Sequence, residues 1–403
     1  MWLRLIITIS EILLLLLLFP LSYLLVLALG AFRSAPTPDT QSRTPSTRFM
    51  IIIPAHNEVN VIRATVNRLY AINYPSHLFS IHILADHCSD DTAEAARQAG
   101  ACVYERKDGP RSGKGAALSW LFQTILQKDE CDAVVIFDAD TRVDPEFLRV
   151  MEWRLAQGDQ VIQGQHIIRN PEQGWYPALT RAMFLIDNRF QNLGRSNLGW
   201  SAKNMGDSIC FRVDILRKLG WGEGLTEDYH LRFQLLLKDI RIAYEPAAIG
   251  YGEAPITWAR ARAQRARWLR GTHDSSQQYV KRLIVEGVKR RNLAMLDGAL
   301  QASLPSYSTL SILALIVLAI QVPIDHFIEE IFLGPQIVAC AAMVVTLSIY
   351  PLVGLALERA PFRAYIAILV GPYFILWRTW LALISRFGRK RVTWIRTEHG
   401  QLD

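Results

Sequence analysis

Hydrophobic positions along this chain fall into three kinds of run. The first is long and nearly free of charge. Ile12 to Phe32 runs uninterrupted between Glu11 and Arg33, and Leu304 to Ile324, Ile331 to Leu357 and Phe362 to Ile384 follow near the other end. At about 1.5 Å per residue, roughly twenty such residues make a helix as long as the hydrocarbon core of a bilayer is thick. The second kind is short and β-forming: Phe49 to Ile53, Phe79 to Ala85, Cys102 to Tyr104, Val134 to Phe137, Val161 to Ile168 and Ser208 to Phe211. The third is periodic. Val59, Ile62, Val66 and Leu69 recur at helical spacing, and similar stripes occupy Ala116 to Gln127, Tyr176 to Phe190 and Leu231 to Leu237.

Between the membrane-length runs, strands alternate with helices. That order predicts an α/β domain on a mostly parallel, doubly wound sheet, whose ligands bind at the carboxyl ends of the strands. A segment rich in Pro, Ser and Thr separates it from the first long run. The expected organisation is an anchor over 1–33, a linker over 34–47, an α/β domain over 48–290, membrane or interfacial helices over 291–386 and a basic tail over 387–403. A cleaved signal peptide fits less well, because the apolar run is long and lacks a small-residue cleavage site. Arg33, Arg43 and Arg48 follow the first span while only Arg4 precedes it, which orients the domain to the cytoplasm of a plasma or bacterial inner membrane. Arg386, Arg389, Lys390 and Arg391 place the tail on the same side. Three crossings would place it on the other, so either one C-terminal segment is re-entrant or interfacial, or the charge rule does not hold for this chain. Pro361, Gly371 and Pro372 mark the third as short, bent or interfacial.

Composition sharpens this outline only a little. The apolar fraction of 51% is high for a purely soluble protein, and the net charge of +7 suits anionic lipid, a phosphorylated ligand or nucleic acid. The arginine-rich stretch Arg260 to Arg270 adjoins no nucleic-acid fold, so nucleic acid is not an expected partner. The five cysteines form no CxxC pair, which argues against a disulfide framework. A transporter would need more ionisable residues in its spans, which carry few apart from Arg378.

The candidate chemistry sits where strands end. Val134 to Phe137 stops in Asp138-Ala139-Asp140, and carboxylates at i and i+2 on an extended chain point the same way. A hard divalent cation held by one or two carboxylates and a phosphate fits there; a solvated Asp-rich turn is the other reading. Phe79 to Ala85 ends in Asp86, and Lys114 lies on a glycine-flanked loop, where it meets phosphate or solvent. Thr226, Glu227 and Asp228 stand at a helix start, where they read as its cap. Gln264, Arg267 and Trp268 share one helix face.

Pro54-Ala55-His56-Asn57-Glu58, Asp86 with Asp90, Gly113-Lys114, Asp138-Ala139-Asp140, Thr226-Glu227-Asp228 and Gln264-Arg265-Ala266-Arg267-Trp268 occur together, in this order, over roughly residues 48 to 275. In this the chain resembles the membrane-embedded family-2 glycosyltransferases of GT-A fold: the synthases of cellulose, hyaluronan, chitin and poly-N-acetylglucosamine and, more distantly, ceramide glucosyltransferase. The resemblance implies an inverting hexosyltransferase that uses a UDP-sugar and Mg²⁺ or Mn²⁺. Its acceptor would be a growing β-linked polysaccharide, or a lipid in single-addition enzymes; a non-catalytic scaffold is the remaining alternative. It implies Asp228 as base, Asp140 with Asp138 as metal ligands, and Lys114, Glu227, Gln264, Arg267 and Trp268 around the donor and acceptor. Pro54, Ala55, Glu58 and Asp86 would line the nucleotide pocket. Two departures stand out: His87-Cys88 replaces a common Gly-Ser, and Asn204-Met205-Gly206-Asp207 follows the acceptor-side pattern only loosely.

Overall fold

A computed structural model describes residues 2–41, 44–111, 113–128, 131–222, 226–327 and 333–387. The elements run α1 (Trp2–Ala31), β1 (Phe49–Ala55), α2 (Val59–Tyr70), β2 (Phe79–Asp86), α3 (Thr92–Gln98), β3 (Cys102–Arg106), α4 (Lys114–Ile125) and β4 (Ala133–Ile136). Then come β5 (Arg142–Val143), α5 (Phe147–Ala156), β6 (Val161–Ile168), α6 (Trp175–Asp187), a π-helical segment (Asn188–Leu193), α7 (Gly194–Asn197), β7 (Ile209–Arg212), α8 (Val213–Leu219), α9 (Glu227–Leu237) and β8 (Ile242–Gly252). The chain continues through α10 (Trp258–Lys289), α11 (Leu293–Ser303), α12 (Tyr307–Phe327), α13 (Gly334–Leu357), α14 (Phe362–Ile368) and α15 (Gly371–Phe387).

Among the described residues eight strands form one sheet, in the order β3-β2-β1-β4-β7-β6-β8-β5. Alternation along β1 explains how the sheet is held. Ile51 and Ile53 face a core with Ile62 and Val66 of α2 and Met151 of α5, while Met50 and Ile52 face a second core with Leu118 and Leu121 of α4 and Leu235 of α9. Both faces are covered, so the strand reads as one apolar run. Each fully buried isoleucine contributes roughly 1.5–3 kcal/mol of transfer free energy.

The strands β3, β2, β1 and β4 are mutually parallel, as are β6 and β8. A uniformly parallel sheet is not what forms, because β7 returns from the long excursion after β6 and inserts antiparallel between β4 and β6. The short β5 also pairs antiparallel, with β8. The β1, β2 and β4 carboxyl ends lie side by side, which brings Ala55, Asp86 and the turn after β4 to one rim.

Among the described residues, three helices are long and apolar enough to cross a membrane: Leu5–Ala31 of α1, α12 and α13. Leu14, Leu17 and Leu21 of α1 pack with Leu310, Ala314 and Val317 of α12 and with Cys340, Met343 and Leu347 of α13. The third C-terminal run is broken as Pro361, Gly371 and Pro372 indicate, into α14 and α15, which meet at a 53° bend. Arg389, Lys390 and Arg391 of the basic tail lie outside the described residues.

A buried polar knot fastens this bundle to the sheet domain. Arg195 (0% exposed) donates from Nε to Asp297 Oδ2 at 2.9 Å and from Nη2 to the Tyr23 hydroxyl at 2.6 Å, and Tyr23 donates to Asp297 Oδ1 at 2.7 Å. It joins α1, α7 and α11, and each partner satisfies the others away from water.

Candidate active site

The floor of the site is the turn after β4. The Asp138 amide donates to Asp207 Oδ1 at 2.9 Å, as does the Thr141 hydroxyl at 3.0 Å, so Asp207 fixes the backbone that carries Asp138 and Asp140. His166 of β6 meets the other Asp207 oxygen through Nδ1 at 2.7 Å. Burial works against charge on both groups, yet their mutual bond and attraction prevail. The Asp207 pKa is lowered, helped by the Asp138 amide and Lys114, and the His166 pKa is raised, helped by Asp138 and Asp140.

Lys114 is the first residue of α4, not a solvated loop lysine. Its Nζ donates to Asp138 Oδ1 and to the Gly206 carbonyl, each at 2.5 Å. Burial opposes its charge, but Asp138, Glu227 and Asp207 outweigh that and raise its pKa. The neighbouring Gly115 explains the approach to α9: a Cβ there would lie 2.7 Å from Glu227 Cβ and 2.9 Å from the Gly222 carbonyl. Only glycine lets the two helix starts come this close.

Glu227 and Asp228 occupy the first turn of α9, where the helix dipole favours acidic groups. Thr226 is the residue before the helix, but its side chain makes no capping bond. Burial raises the pKa of both acids. Glu227 reaches about 7, with Asp228 adding repulsion and Lys114 opposing; at Asp228, the Tyr229 amide, Lys114 and Arg267 oppose the rise. Asp228 Oδ2 lies 3.7 Å from the Cβ position of Gly206, so the 204–207 segment packs directly on the base candidate.

Arg267 reaches this group from α10, within electrostatic range of Asp228. Thr226 and Gly271, one turn beyond Arg267, set that distance: a Cβ on Gly271 would fall 2.4 Å from Thr226 Cγ2. Trp268 is half-buried beneath Arg265, whose guanidinium lies 5.1 Å from its ring centroid. Gln264 is half-buried on the same side of α10 and makes no hydrogen bond among the described residues.

The four residues expected around a nucleotide base form a separate group at the β1 and β2 rim. Pro54 and Ala55 end β1, and Glu58 (8% exposed) donates its amide to Thr92 Oγ1 at 2.7 Å. Asp86 (6% exposed) accepts from Arg106 Nη1 at 2.7 Å. His87 has φ 52, the left-handed conformation that glycine adopts most readily, and its ring is 2.9 Å from both Asp86 Oδ1 and the Gly109 carbonyl. Its ring thereby bridges the β2 end to the loop before α4. Asp90 bonds the Thr92 hydroxyl and so shapes the turn.

The structure thus gathers Lys114, Asp138, Asp140, Glu227, Asp228 and Arg267, with Pro54, Ala55, Glu58 and Asp86 beside them along the rim. His166 and Asp207 join the cluster without having been singled out as site residues. A histidine in an apolar strand gives no local signal, and Asp207 belonged to the segment that departed from the expected pattern. Among the described residues no group of three or more His, Cys, Asp or Glu side chains is arranged to hold a metal ion. Asp138 and Asp140 fit Mg²⁺ or Mn²⁺ as two carboxylate donors, a set such ions complete with phosphate and water oxygens.

A mixed, mainly parallel sheet with acids after its central strand and at a facing helix start is the GT-A architecture of glycosyltransferases. Residues 45–271 match the sequence profile described as "Glycosyltransferase like family 2", and the chain belongs to that family. It is 27% identical over 242 residues to a probable glycosyltransferase of Bacillus subtilis, covering 55% of this chain and 54% of that protein. It is 28% identical over 265 residues to a beta-monoglucosyldiacylglycerol synthase of Trichormus variabilis, covering 62% and 55%. With a UDP-forming cellulose synthase catalytic subunit of Xanthomonas axonopodis pv. citri the figures are 27% over 262 residues, 61% and 35%. The chain therefore spans about half the length, or less, of these relatives. Among solved structures, a mannosyltransferase from Pyrobaculum calidifontis in complex with GDP-Man and Mn²⁺ superimposes with TM-score 0.55 over 94% of this chain and 98% of its own, at 16% identity. That likeness establishes the fold.

Proposed function

We propose that this chain is a membrane-embedded inverting glycosyltransferase that moves a hexosyl or N-acetylhexosaminyl group from a UDP-sugar to an acceptor hydroxyl. The carrying observation is the convergence of two strand-end carboxylates, two helix-start acids, Lys114 and Arg267 at the carboxyl rim of a GT-A sheet. Lys114 and Arg267 supply the positive charge that a departing diphosphate requires, Arg267 through a fork that grips two oxygens. Mg²⁺ or Mn²⁺ held by Asp138 and Asp140 would neutralise part of the same charge when bound. Asp228, made more basic by burial, accepts the acceptor hydroxyl's proton. Attack opposite the leaving group, with a single base, inverts the anomeric carbon. Asp207 and His166 keep the Asp138 backbone in place through their mutual bond.

Residues 48–290 are read as the catalytic domain, 1–33 as an anchor and 291–386 as membrane and interfacial helices, with the site on the cytoplasmic side as the flanking arginines favour. A growing β-linked polysaccharide is the first acceptor class. A lipid is the second, and the exposed aromatic side chains of Trp175, Trp258, Tyr373 and Trp380 favour it. The test is UDP release by the purified full chain across a panel of UDP-sugars, with GDP-mannose included, each with Mg²⁺ and Mn²⁺ and with products weighed by mass spectrometry. Metal-dependent release with a glycosylated product supports the reading. No release and no nucleotide binding with any donor would end it.

A further inference from the structure

The second half of α10 carries apolar side chains on two opposite faces. One face is accounted for: Tyr279 and Leu283 pack with Phe233 and Leu236 of α9 and with Ala294 and Met295 of α11. The other is turned outward. Ile284, Val285 and Val288 are 46%, 55% and 64% exposed, and Leu293, which opens α11, is 62% exposed. A helix bordering water carries polar residues on its outer side, and β-branched residues there also lower its helix propensity, so three aliphatic residues at this spacing need a partner. Cations frame them. Lys281, Arg282, Lys289 and Arg291 are exposed around this face, while Arg290 is matched by Glu286 through Nη2 at 2.6 Å. Between residues 281 and 293, five Lys and Arg side chains stand against one acid.

The position of α11 sets the level of this face. Its Asp297, one turn after Leu293, accepts from the Tyr23 hydroxyl at 2.7 Å. Tyr23 lies in the membrane-length span of α1, eight residues before its end at Ala31, or about 12 Å along the helix. Past the other end of α11, Tyr307 packs with the cluster that holds Ala28 and Ala31 of α1. Both ends of α11 are thus held beside the last turns of α1, and α11 lies along the boundary of the bilayer. Leu283 packs in one cluster with Ala294 and Met295, which brings the outward face of α10 to the same boundary.

We infer that this face of α10 and the start of α11 form a binding surface for anionic phospholipid: Ile284, Val285, Val288 and Leu293 enter the acyl boundary, and Lys281, Arg282, Lys289 and Arg291 meet the headgroup phosphates. The inference rests on the reading of α1, α12 and α13 as membrane helices, and it adds a lipid contact on the helix that carries Gln264, Arg267 and Trp268. The charge selects the lipid. Long Lys and Arg side chains on an amphipathic helix reach headgroups while their apolar neighbours stay in the acyl layer, and each strengthens the attraction to an anionic leaflet. A second copy of the chain fits less well, because a twofold contact through this patch would set the same cations against each other.

The experiment uses the full chain in nanodiscs of mixed phosphatidylcholine and phosphatidylglycerol. The photocrosslinker p-benzoylphenylalanine stands in place of Val285, of Val288 or, as a control on the sheet domain, of Tyr70, which is 44% exposed. After irradiation the adducts are identified by mass spectrometry. Positions 285 and 288 are expected to give phospholipid adducts about tenfold or more above position 70, with phosphatidylglycerol enriched roughly threefold or more beyond its share of the disc. Combining Lys281→Gln, Arg282→Gln, Lys289→Gln and Arg291→Gln is expected to keep the adducts and remove the enrichment, with thermal unfolding showing a folded protein. Raising the salt is expected to do the same to the unsubstituted surface. Adducts to a second copy of the chain in place of lipid, no lipid adducts at 285 and 288, or an enrichment that survives both charge removal and salt overturns the inference. A chain that enters the disc and shows one of these overturns only this inference; a chain that cannot be incorporated into a bilayer overturns the membrane reading as well.

Discussion

Gly271 is the position where the geometry of the site and the stability of a helix pull in opposite directions. In the interior of α10, alanine should be favoured over glycine by about 1 kcal/mol of helix propensity. Yet a Cβ at Gly271 would lie 2.4 Å from Thr226 Cγ2, 2.5 Å from its Oγ1 and 2.9 Å from its Cβ. Thr226 is buried and β-branched, so its side chain cannot swing clear, and overpacking of this kind costs about 1–3 kcal/mol. The net expectation for Gly271→Ala is a loss of up to about 2 kcal/mol, where propensity alone would predict a gain. The larger effect falls on activity. Arg267 is one turn before Gly271 on the same face and Asp228 is two residues after Thr226, so separating the two elements by about 1 Å misplaces the cation against the base and lowers kcat roughly 100-fold. Adding Thr226→Ala removes Cγ2 and Oγ1 and should restore much of both, with a coupling energy of about 1 kcal/mol or more. Chemical denaturation in detergent and UDP release measure the two effects. A Gly271→Ala protein that is more stable than its parent, fully active and uncoupled from Thr226→Ala would refute the close contact.

Three further outcomes are expected. Asp228→Asn should lower transfer by roughly 100- to 10,000-fold while nucleotide binding persists, because only the proton acceptor is lost; an active variant removes Asp228 from that role. Glu227 holds its proton longer when folded, its pKa raised from 4.5 to about 7, so its contribution to stability should be present at low pH and fall as pH rises across that window. Denaturant midpoints against pH should show this slope flattened in Glu227→Gln, and an unchanged slope would contradict the assignment. Asp297→Ala leaves Arg195 buried without its carboxylate and should cost about 3–5 kcal/mol, measured by thermal unfolding in detergent; a loss under about 1 kcal/mol would mean the knot does not fasten α1 to the domain.

How much of this was legible in the sequence depended on whether the information was local. The apolar run of β1 and the spacing of Ile62, Val66 and Leu69 each report burial by period alone, and three of the four long runs form single helices of membrane length among the described residues. Pro361, Gly371 and Pro372 foretold the break between α14 and α15. The β8 strand was not read, because Pro246, Gly250 and Gly252 interrupt its pattern and its pairing with β6 shifts register at Gly164/Gln165. The reversal of β7 had no sequence signature either, since direction is set by where the long excursion after β6 returns. In the site, residues carried by motifs were visible, whereas His166 and Asp207 acquire meaning only from partners far away in the chain. Lys114 shows the difference most plainly: glycines on either side suggest a loop, but tertiary contact with Asp138 and Gly206 makes it a half-buried helix-start cation.

The most direct test of the central claim, that the strand-end acids and Arg267 surround one nucleotide diphosphate, is calorimetric titration of UDP into the full-length protein with and without Mn²⁺, repeated for Asp140→Ala and Arg267→Gln. The account predicts binding that depends on Mn²⁺, lost in Asp140→Ala and weakened roughly tenfold or more in Arg267→Gln. UDP binding that is equally tight in all three proteins and indifferent to Mn²⁺ would contradict it.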